Sequence, residues 1–547
     1  MPRPNKTGKP SPAKAPARRR GKRANPLLDL LKNLDDEVLA MLQQSMAEEM
    51  GLGAEGSPEP DPVELFGHYL ESCRLAEIDE AEKNDRLSDL VEALSDLRIE
   101  AGGGRRDARE RIRAIYDLLE GAIEKRALPI VDLMIIAKVF ADSGLEVPGS
   151  LKRSVAEALE LGPPDSLDGG DGSDLVTSLL EDPELADKNP SDVYETLNSL
   201  TVGLPAQPVI ALLRELVAGG KAVVDEAAAG FALHPDPEIA RAVVEALAAS
   251  AVRAPVASAL IERLVRMRPW LPPARQMPLD EAIRAMRMNA APPVKSELPN
   301  IGKCMVSVCD GSGTRSLVVT LRAGERHLIA TVMMKREGID DAMMLRDLSR
   351  PEMNDIVRRM KSSLLTAETD LAGVVRTLGL AVAENFASGR LPPFKLVDLA
   401  ETLGLGPIYP DPATPHEIIA GLLAGLPAGQ TDAAAAAKAH LDILKNEFEY
   451  QWFETGEPVE DMLYPVEGFK QRVAKLMKSY LPERRGFWTR QCALSALALR
   501  NEQKSPHAMW KQLALVGRDI GSDRPLERIP LMKQIARVSV EAFESQP

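Results

Sequence analysis

A short run, Asp310-Gly311-Ser312-Gly313, brings together a carboxylate, a hydroxyl and two glycines, the residue types of a phosphate cradle or of a nucleophile turn. Neither motif completes. No Lys-Ser/Thr follows, no G-x-S-x-G forms, and the run joins two strand-like segments where a phosphate site uses a helix N-terminus. Asp-Gly and Gly instead supply the positive φ of a hairpin turn. Cys304 and Cys309 lie five apart on one extended segment, so they point to opposite faces and cannot share a zinc ion without a turn between them. Cys309 and His327 form the one cysteine–histidine combination within a single expected sheet, and with no third orienting group Cys309 reads as a buried structural thiol. The six histidines are dispersed and form no H-E-x-x-H. Asp340-Asp341 and Glu48-Glu49 are sequence neighbours, which do not face each other on a helix, and read as solvated surface. The sequence therefore yields no catalytic residue, no metal ligand and no cofactor, which favours a non-catalytic protein.

Gly169-Gly170-Asp171-Gly172-Ser173-Asp174-Leu175-Val176-Thr177 matches the calcium-binding nonapeptide of β-roll repeats letter for letter. Calcium in such rolls is shared between consecutive turns, so one copy supplies half a site, and an acidic linker is the simpler reading. No Glu stands twelfth from Asp165 or Asp168, which excludes an EF-hand loop.

Basic residues give the remaining candidate. Residues 1–25 hold nine Lys or Arg and no acid, and the whole chain carries −14, which leaves −23 on the rest. Lys14, Arg18, Arg19, Arg20, Lys22 and Arg23 could neutralise phosphates on nucleic acid or contact another partner, but no aromatic interleaves for base stacking. Residues 1–26 combine like charge, Pro and small side chains without apolar periodicity, and are expected to be a disordered tail. Leu27, Leu31, Leu34, Val38 and Leu42 then recur at helical spacing within 27–50, giving an amphipathic helix that a Gly/Pro/acid-rich break leaves tethered and available for docking.

The elements behind these residues are mostly helical. Hydrophobic residues are 45% of 547 and aromatics 4%, a Leu/Ala-rich composition that suits close-packed helices. No apolar run is long enough to cross a bilayer, the best attempt, Ile418–Leu426, being stopped by Pro427, so membrane insertion is not expected. No secretory signal is visible, and four scattered cysteines make no disulfide framework, which points to a cytoplasmic home. Helical spacing runs through 63–161, with breaks that fit about four helices, and resumes over 175–290 as short helices joined by Pro or Gly turns. Alternating and β-branched segments over 300–349 fit a three-stranded antiparallel β-meander. Ser349 then caps a helix with Pro351 in its first turn, opening a helical region over 350–425. The stretch 431–547 holds 11 of the 21 aromatic residues, including Trp452, Trp488 and Trp510, and is expected to be a separate helical domain with a different core.

Asp236-Pro237-Glu238-Ile239-Ala240-Arg241-Ala242-Val243-Val244-Glu245-Ala246-Leu247 resembles the second helix of a HEAT repeat, with Ile239, Ala242, Ala246 and Leu247 on the packing positions and Arg241 one place beyond the usual arginine. The HEAT/armadillo resemblance, over about 200–290, implies helix pairs stacked side by side. The expected architecture is therefore mainly α: an irregular HEAT-like α-solenoid, a small β-meander and a C-terminal helical domain. The expected function is a scaffold or adaptor that binds another protein through a helical-repeat surface. Nucleic-acid association through the tail is the alternative, and an enzyme without a recognisable motif a distant third. Oligomeric state stays open.

Overall fold

The computed structural model describes residues 61–73, 80–102, 105–125, 128, 130–160, 188–293, 298–445, 452–500 and 509–545. The basic tail, the expected docking helix at 27–50 and the nonapeptide at 169–177 lie outside the described residues.

The first region holds five helices where the sequence suggested four: α1 (Pro62–Ser72), α2 (Glu80–Gly102), α3 (Arg106–Glu124), α4 (Ile130–Asp142) and α5 (Gly149–Glu160). The first expected helix is two. By packing α1 back against α2, the chain delivers both Phe66, Tyr69 and Leu70 and Leu90, Leu94 and Leu97 to one core, which a single straight helix could not do. In α3 the buried residues Ala108, Ile115, Leu119 and Ala122 form one stripe, the spacing that turns an amphipathic helix toward a core.

The second region runs through α6 (Pro190–Thr201), α7 (Ala206–Ala218), α8 (Ala222–Ala228), α9 (Pro237–Ser250), α10 (Ser258–Met267) and α11 (Pro273–Arg287). Asn189 and Asp236 cap α6 and α9 through the amides of Ser191 and Glu238, each with Pro at the first helical position, an arrangement that satisfies orphan N–H groups. Helices pack on near neighbours, α6 on α8, α7 on α9, and α9 on α11. Arg241 takes no part in a buried ladder. It is exposed and pairs with Glu245 one turn on, while Ala240 packs inside.

The sheet is larger than expected. Strands β1 (Asn300–Ser307), β2 (Arg315–Ala323), β3 (Arg326–Lys335), β4 (Gly338–Leu348) and β5 (Thr366–Thr369) form one antiparallel sheet in the order β4-β3-β2-β1-β5. The meander thus has a fourth strand. Asp340 and Asp341, read from the sequence as solvated surface, lie in β4, where an edge position tolerates a polar run and a register shift at Met333/Met334 re-aims the side chains. β5 follows a helix, α12 (Arg350–Ser363), and returns beside β1. One sheet face carries Met305, Val318 and Ile329 against Met353, Ile356, Val357 and Met360 of α12. The other, with Leu317, Val319, Ala330 and Val332, joins the core of the second region.

After β5 come α13 (Leu371–Ser388) and α14 (Lys395–Thr402), both packed on β4. The C-terminal helices are α15 (Pro415–Leu423), α16 (Ala433–Asp442), α17 (Glu457–Leu463), α18 (Phe469–Ser479), α19 (Arg485–Arg500), α20 (Met509–Ile520) and α21 (Pro530–Glu544). Trp452, Trp488 and Trp510 are buried among them in one hydrophobic core. That core also takes in Val308, Cys309, Ala367 and Leu380 from the sheet end and α13. No helix among the described residues is long and apolar enough to cross a membrane.

Candidate functional site

Asp310 spends its carboxylate on its own loop. Its Oδ1 accepts from Ser312 N at 2.9 Å, Ser312 Oγ at 2.7 Å and Thr314 N at 2.8 Å, the pattern of an Asx turn. With Gly313 at φ +92°, the segment is the hairpin connection between β1 and β2. Beyond it, two elements of the fold meet the loop and bring together side chains that sequence reasoning did not select.

Arg315 opens β2 with a side chain only 3% exposed, and its Nη2 stands 3.7 Å from Glu384 Oε2 of α13. Glu384 Oε1 accepts from Arg490 Nε of α19 at 2.6 Å, and Arg490 Nη2 reaches the Lys335 carbonyl at 3.3 Å. Gln491, next on α19, is fully buried, and its amide lies against Gly313, where any Cβ would collide with it. The cluster holds two guanidiniums and one carboxylate. Among the described residues, Arg315 Nε and Nη2, Arg490 Nη1, Glu384 Oε2 and both amide atoms of Gln491 are buried without a hydrogen-bond partner. Burial holds the Arg315 guanidinium below its usual value, with Glu384 opposing that shift.

Cys309 adjoins this cluster. Its N–H donates to Ser495 Oγ at 3.0 Å and its carbonyl accepts from Trp452 Nε1 at 2.8 Å. Burial pushes the Cys309 thiol up despite the two arginines, and pushes Cys492 up as well, which suits structural thiols. Cys304 packs in the other core. The structure does not bring Cys309 and His327 together: register sets His327 opposite Arg322, which pairs with Asn300 at the start of β1, whereas Cys309 follows its end. Asp340 pairs with Lys335 at 2.8 Å and Arg390 at 3.5 Å. Among the described residues no group of three or more His, Cys, Asp or Glu is arranged to hold a metal.

A second buried charge cluster joins the second region to α14. Arg263 of α10 meets Asp398 at 2.7 Å, Glu401 at 2.8 Å and Glu226 at 3.3 Å, and its guanidinium lies 5.7 Å from the Phe394 ring centre. Arg266 adds a contact to Glu401 at 3.7 Å. Burial pushes Glu401 up to about 7 against the pull of both arginines, and raises Glu226 as well. Burial also takes Asp225, the neighbour of Glu226, to about 7. Every side chain here has a charged neighbour, so the cluster acts as a joint that holds α8, α10 and α14 in place.

Comparison with known proteins adds two family matches and one relative. Residues 205–290 match the Y4lR second domain and residues 416–544 match the Y4lR C-terminal helical domain. A protein of Sinorhizobium fredii (strain NBRC 101917 / NGR234), uncharacterized protein y4lR, is 23% identical over 532 residues, spanning 94% of this chain and 92% of its own length. No solved structure matches. The first matched stretch covers α7 to α11 and the second most of α15 to α21, so Arg490 and Gln491 fall inside a match while Arg315 and Glu384 lie between the two.

One further surface stands out by exposure. Helix α11 buries Leu279, Ala282, Ile283 and Met286, and turns Met277 (67% exposed) and Met288, just past its end (89%), to solvent. Val252, 83% exposed, lies at the same edge, because Asn289 Nδ2 donates to the Ala251 carbonyl at 3.0 Å and Val256 N donates to the Asn289 carbonyl at 2.9 Å. The signal for this face was present in the sequence as methionines at helical spacing. Arg315 follows the polar run Asp310–Thr314 and Arg490 stands between Thr489 and Gln491, so neither carried a signal in the sequence.

Proposed function

We propose that this chain is a non-catalytic scaffold that binds another protein through its second helical region. The observation that carries the reading is the edge formed by Val252 and Met288, the two most exposed large apolar side chains among the described residues. Contiguous apolar exposure favours association, and methionine adapts to irregular partner surfaces. Helix α10, which packs on α11, is anchored to α8 and α14 by the buried joint centred on Arg263, which limits the ordering cost of binding. The test is affinity purification of the full chain from nuclease-treated lysate, followed by identification of co-eluting proteins. Met288→Glu and Val252→Glu should lose the partner at least tenfold with an unchanged melting midpoint. Unchanged capture by both variants, or a chain that elutes alone, removes the reading.

The charge asymmetry of the sequence favours a second reading, in which residues 1–25 grip nucleic-acid phosphates. Deleting those residues should then abolish retention on nucleic acid at low salt. Retention that survives the deletion, or is absent from the start, excludes it.

A further inference from the structure

We propose that the buried junction between β2, α13 and α19 is a binding site for a single carboxylate group, held by Arg315, Arg490 and Gln491.

Charge gives the first argument. Within ion-pair distance two guanidiniums share one carboxylate, Glu384, and Glu337 adds a longer-range pull on Arg490, which leaves the direct contacts one positive charge in excess. Burying an uncompensated charge is costly, and natural interiors pair such groups or supply a counter-ion. A carboxylate restores neutrality, whereas a phosphate, near −2 at neutral pH, would overshoot it.

Hydrogen bonding gives the second argument, and it is independent of the first. Arg315 Nε and Nη2 make no hydrogen bond and form one edge of the guanidinium plane, with Nη2 3.7 Å from Glu384 Oε2. That edge presents two parallel N–H groups, the spacing that a carboxylate accepts in a bidentate pair. Arg490 Nη1 and Gln491 Nε2 are likewise buried without acceptors among the described residues. Four orphaned donors, with two orphaned acceptors beside them in Glu384 Oε2 and Gln491 Oε1, exceed what a folded interior ordinarily tolerates. Arg315 and Gln491 are almost wholly shielded from solvent, while Glu384 is 20% exposed and Arg490 13%. The Glu384–Arg490 side is thus the open one. The site differs from the edge proposed for protein binding and does not depend on it.

The junction also explains two local features. Gly313 must be glycine, since its φ is +92° and a Cβ would strike the Gln491 amide and the Phe487 ring. This close approach lets the loop roof Gln491. Burial without a partner is otherwise a poor use of a glutamine in a helix whose remaining buried positions are mostly Leu, Ala and Cys.

The experiment titrates the full chain with sodium acetate by calorimetry, against sodium chloride at equal ionic strength. Parallel titrations use inorganic phosphate, a short alanine peptide with a free C-terminus, and the same peptide amidated. The expected result is saturable acetate binding with a dissociation constant on the order of 1 mM, weakened about tenfold or more in Arg490→Gln and Gln491→Leu. Gln491→Leu keeps the helix and removes orphaned polar atoms, so it retains the fold even if Arg490→Gln does not. Binding of the free peptide and not of the amide identifies a chain terminus as a carboxylate source that fits. Acetate binding alone restricts the source to small molecules. Preference for phosphate over acetate overturns the assignment, as does acetate binding that Gln491→Leu leaves unchanged or no binding in any titration.

Discussion

Replacing Glu401 with Gln should remove part of the pH dependence of stability, and the structure sets both sign and size. Burial raises this carboxyl from an ordinary 4.5 to about 7, even with Arg263 and Arg266 beside it. Below about pH 4.5 the group is protonated in folded and unfolded chains alike, and it costs nothing. Between 4.5 and 7 the unfolded chain releases the proton while the folded chain holds it, so stability falls as pH rises. Above 7 the group is ionised in both states and the loss is complete. A displacement of this size corresponds to about 3 kcal/mol, and the 25% exposure of the side chain lets solvent screening reduce it to roughly 1–3 kcal/mol. Glu401→Gln does not ionise, and Arg263 keeps Asp398 and Glu226 as partners. Melting midpoints of both proteins, measured from pH 4.5 to 8.5 at one ionic strength, should therefore diverge by about 2 °C for each kcal/mol, the native chain losing more. Asp225 titrates with the same sign but is present in both proteins and cancels. Curves that shift in parallel across the whole range would refute the reasoning.

Three other substitutions test the packing. Arg263→Met leaves Asp398 buried without its 2.7 Å partner and should cost about 3–5 kcal/mol, read as a lower urea midpoint. Glu454→Leu strands two donors, Arg484 Nε and Trp488 Nε1, each at 2.8 Å from its carboxylate; it should cost about 3 kcal/mol and change the tryptophan fluorescence of the native state. Gly338→Ala meets both a φ of +109° and the Asn385 side chain, so about 2 kcal/mol or more should be lost, with faster hydrogen exchange at Ile339 N, whose acceptor is Asn385 Oδ1 at 2.8 Å.

Helices, caps and turns were readable because their causes are local. The Asn189-Pro190, Asp236-Pro237 and Ser349-Arg350-Pro351-Glu352 starts all cap as their residues dictate. Asp310 to Gly313 makes its turn for the same reason. β4 was missed because an edge strand can carry Asp340 and Asp341 in its middle, and β5 because four residues carry no periodicity; its place is set by pairing with Cys304–Ser307. The two arginine clusters were invisible for another reason. Arg263 and Asp398 are 135 residues apart in sequence, and Arg315 and Arg490 lie 175 apart, so only tertiary structure makes them neighbours. The exposed faces of Met277 and Met288 show the converse: helical spacing placed them, but burial of the rest of α11 was needed to tell surface from core.

The insertion of Val308, Cys309 and Ala367 into the C-terminal core sets an order of events during synthesis. Cys309 N–H waits for Ser495, 186 residues later, roughly 10–40 s at ordinary ribosomal rates. Until α19 emerges, the end of the sheet lacks the helix that packs on both β1 and β5. Newly made chains should therefore need a holding chaperone most sharply between completion of β5 and emergence of α19, and a chain cut within that window should aggregate through this end.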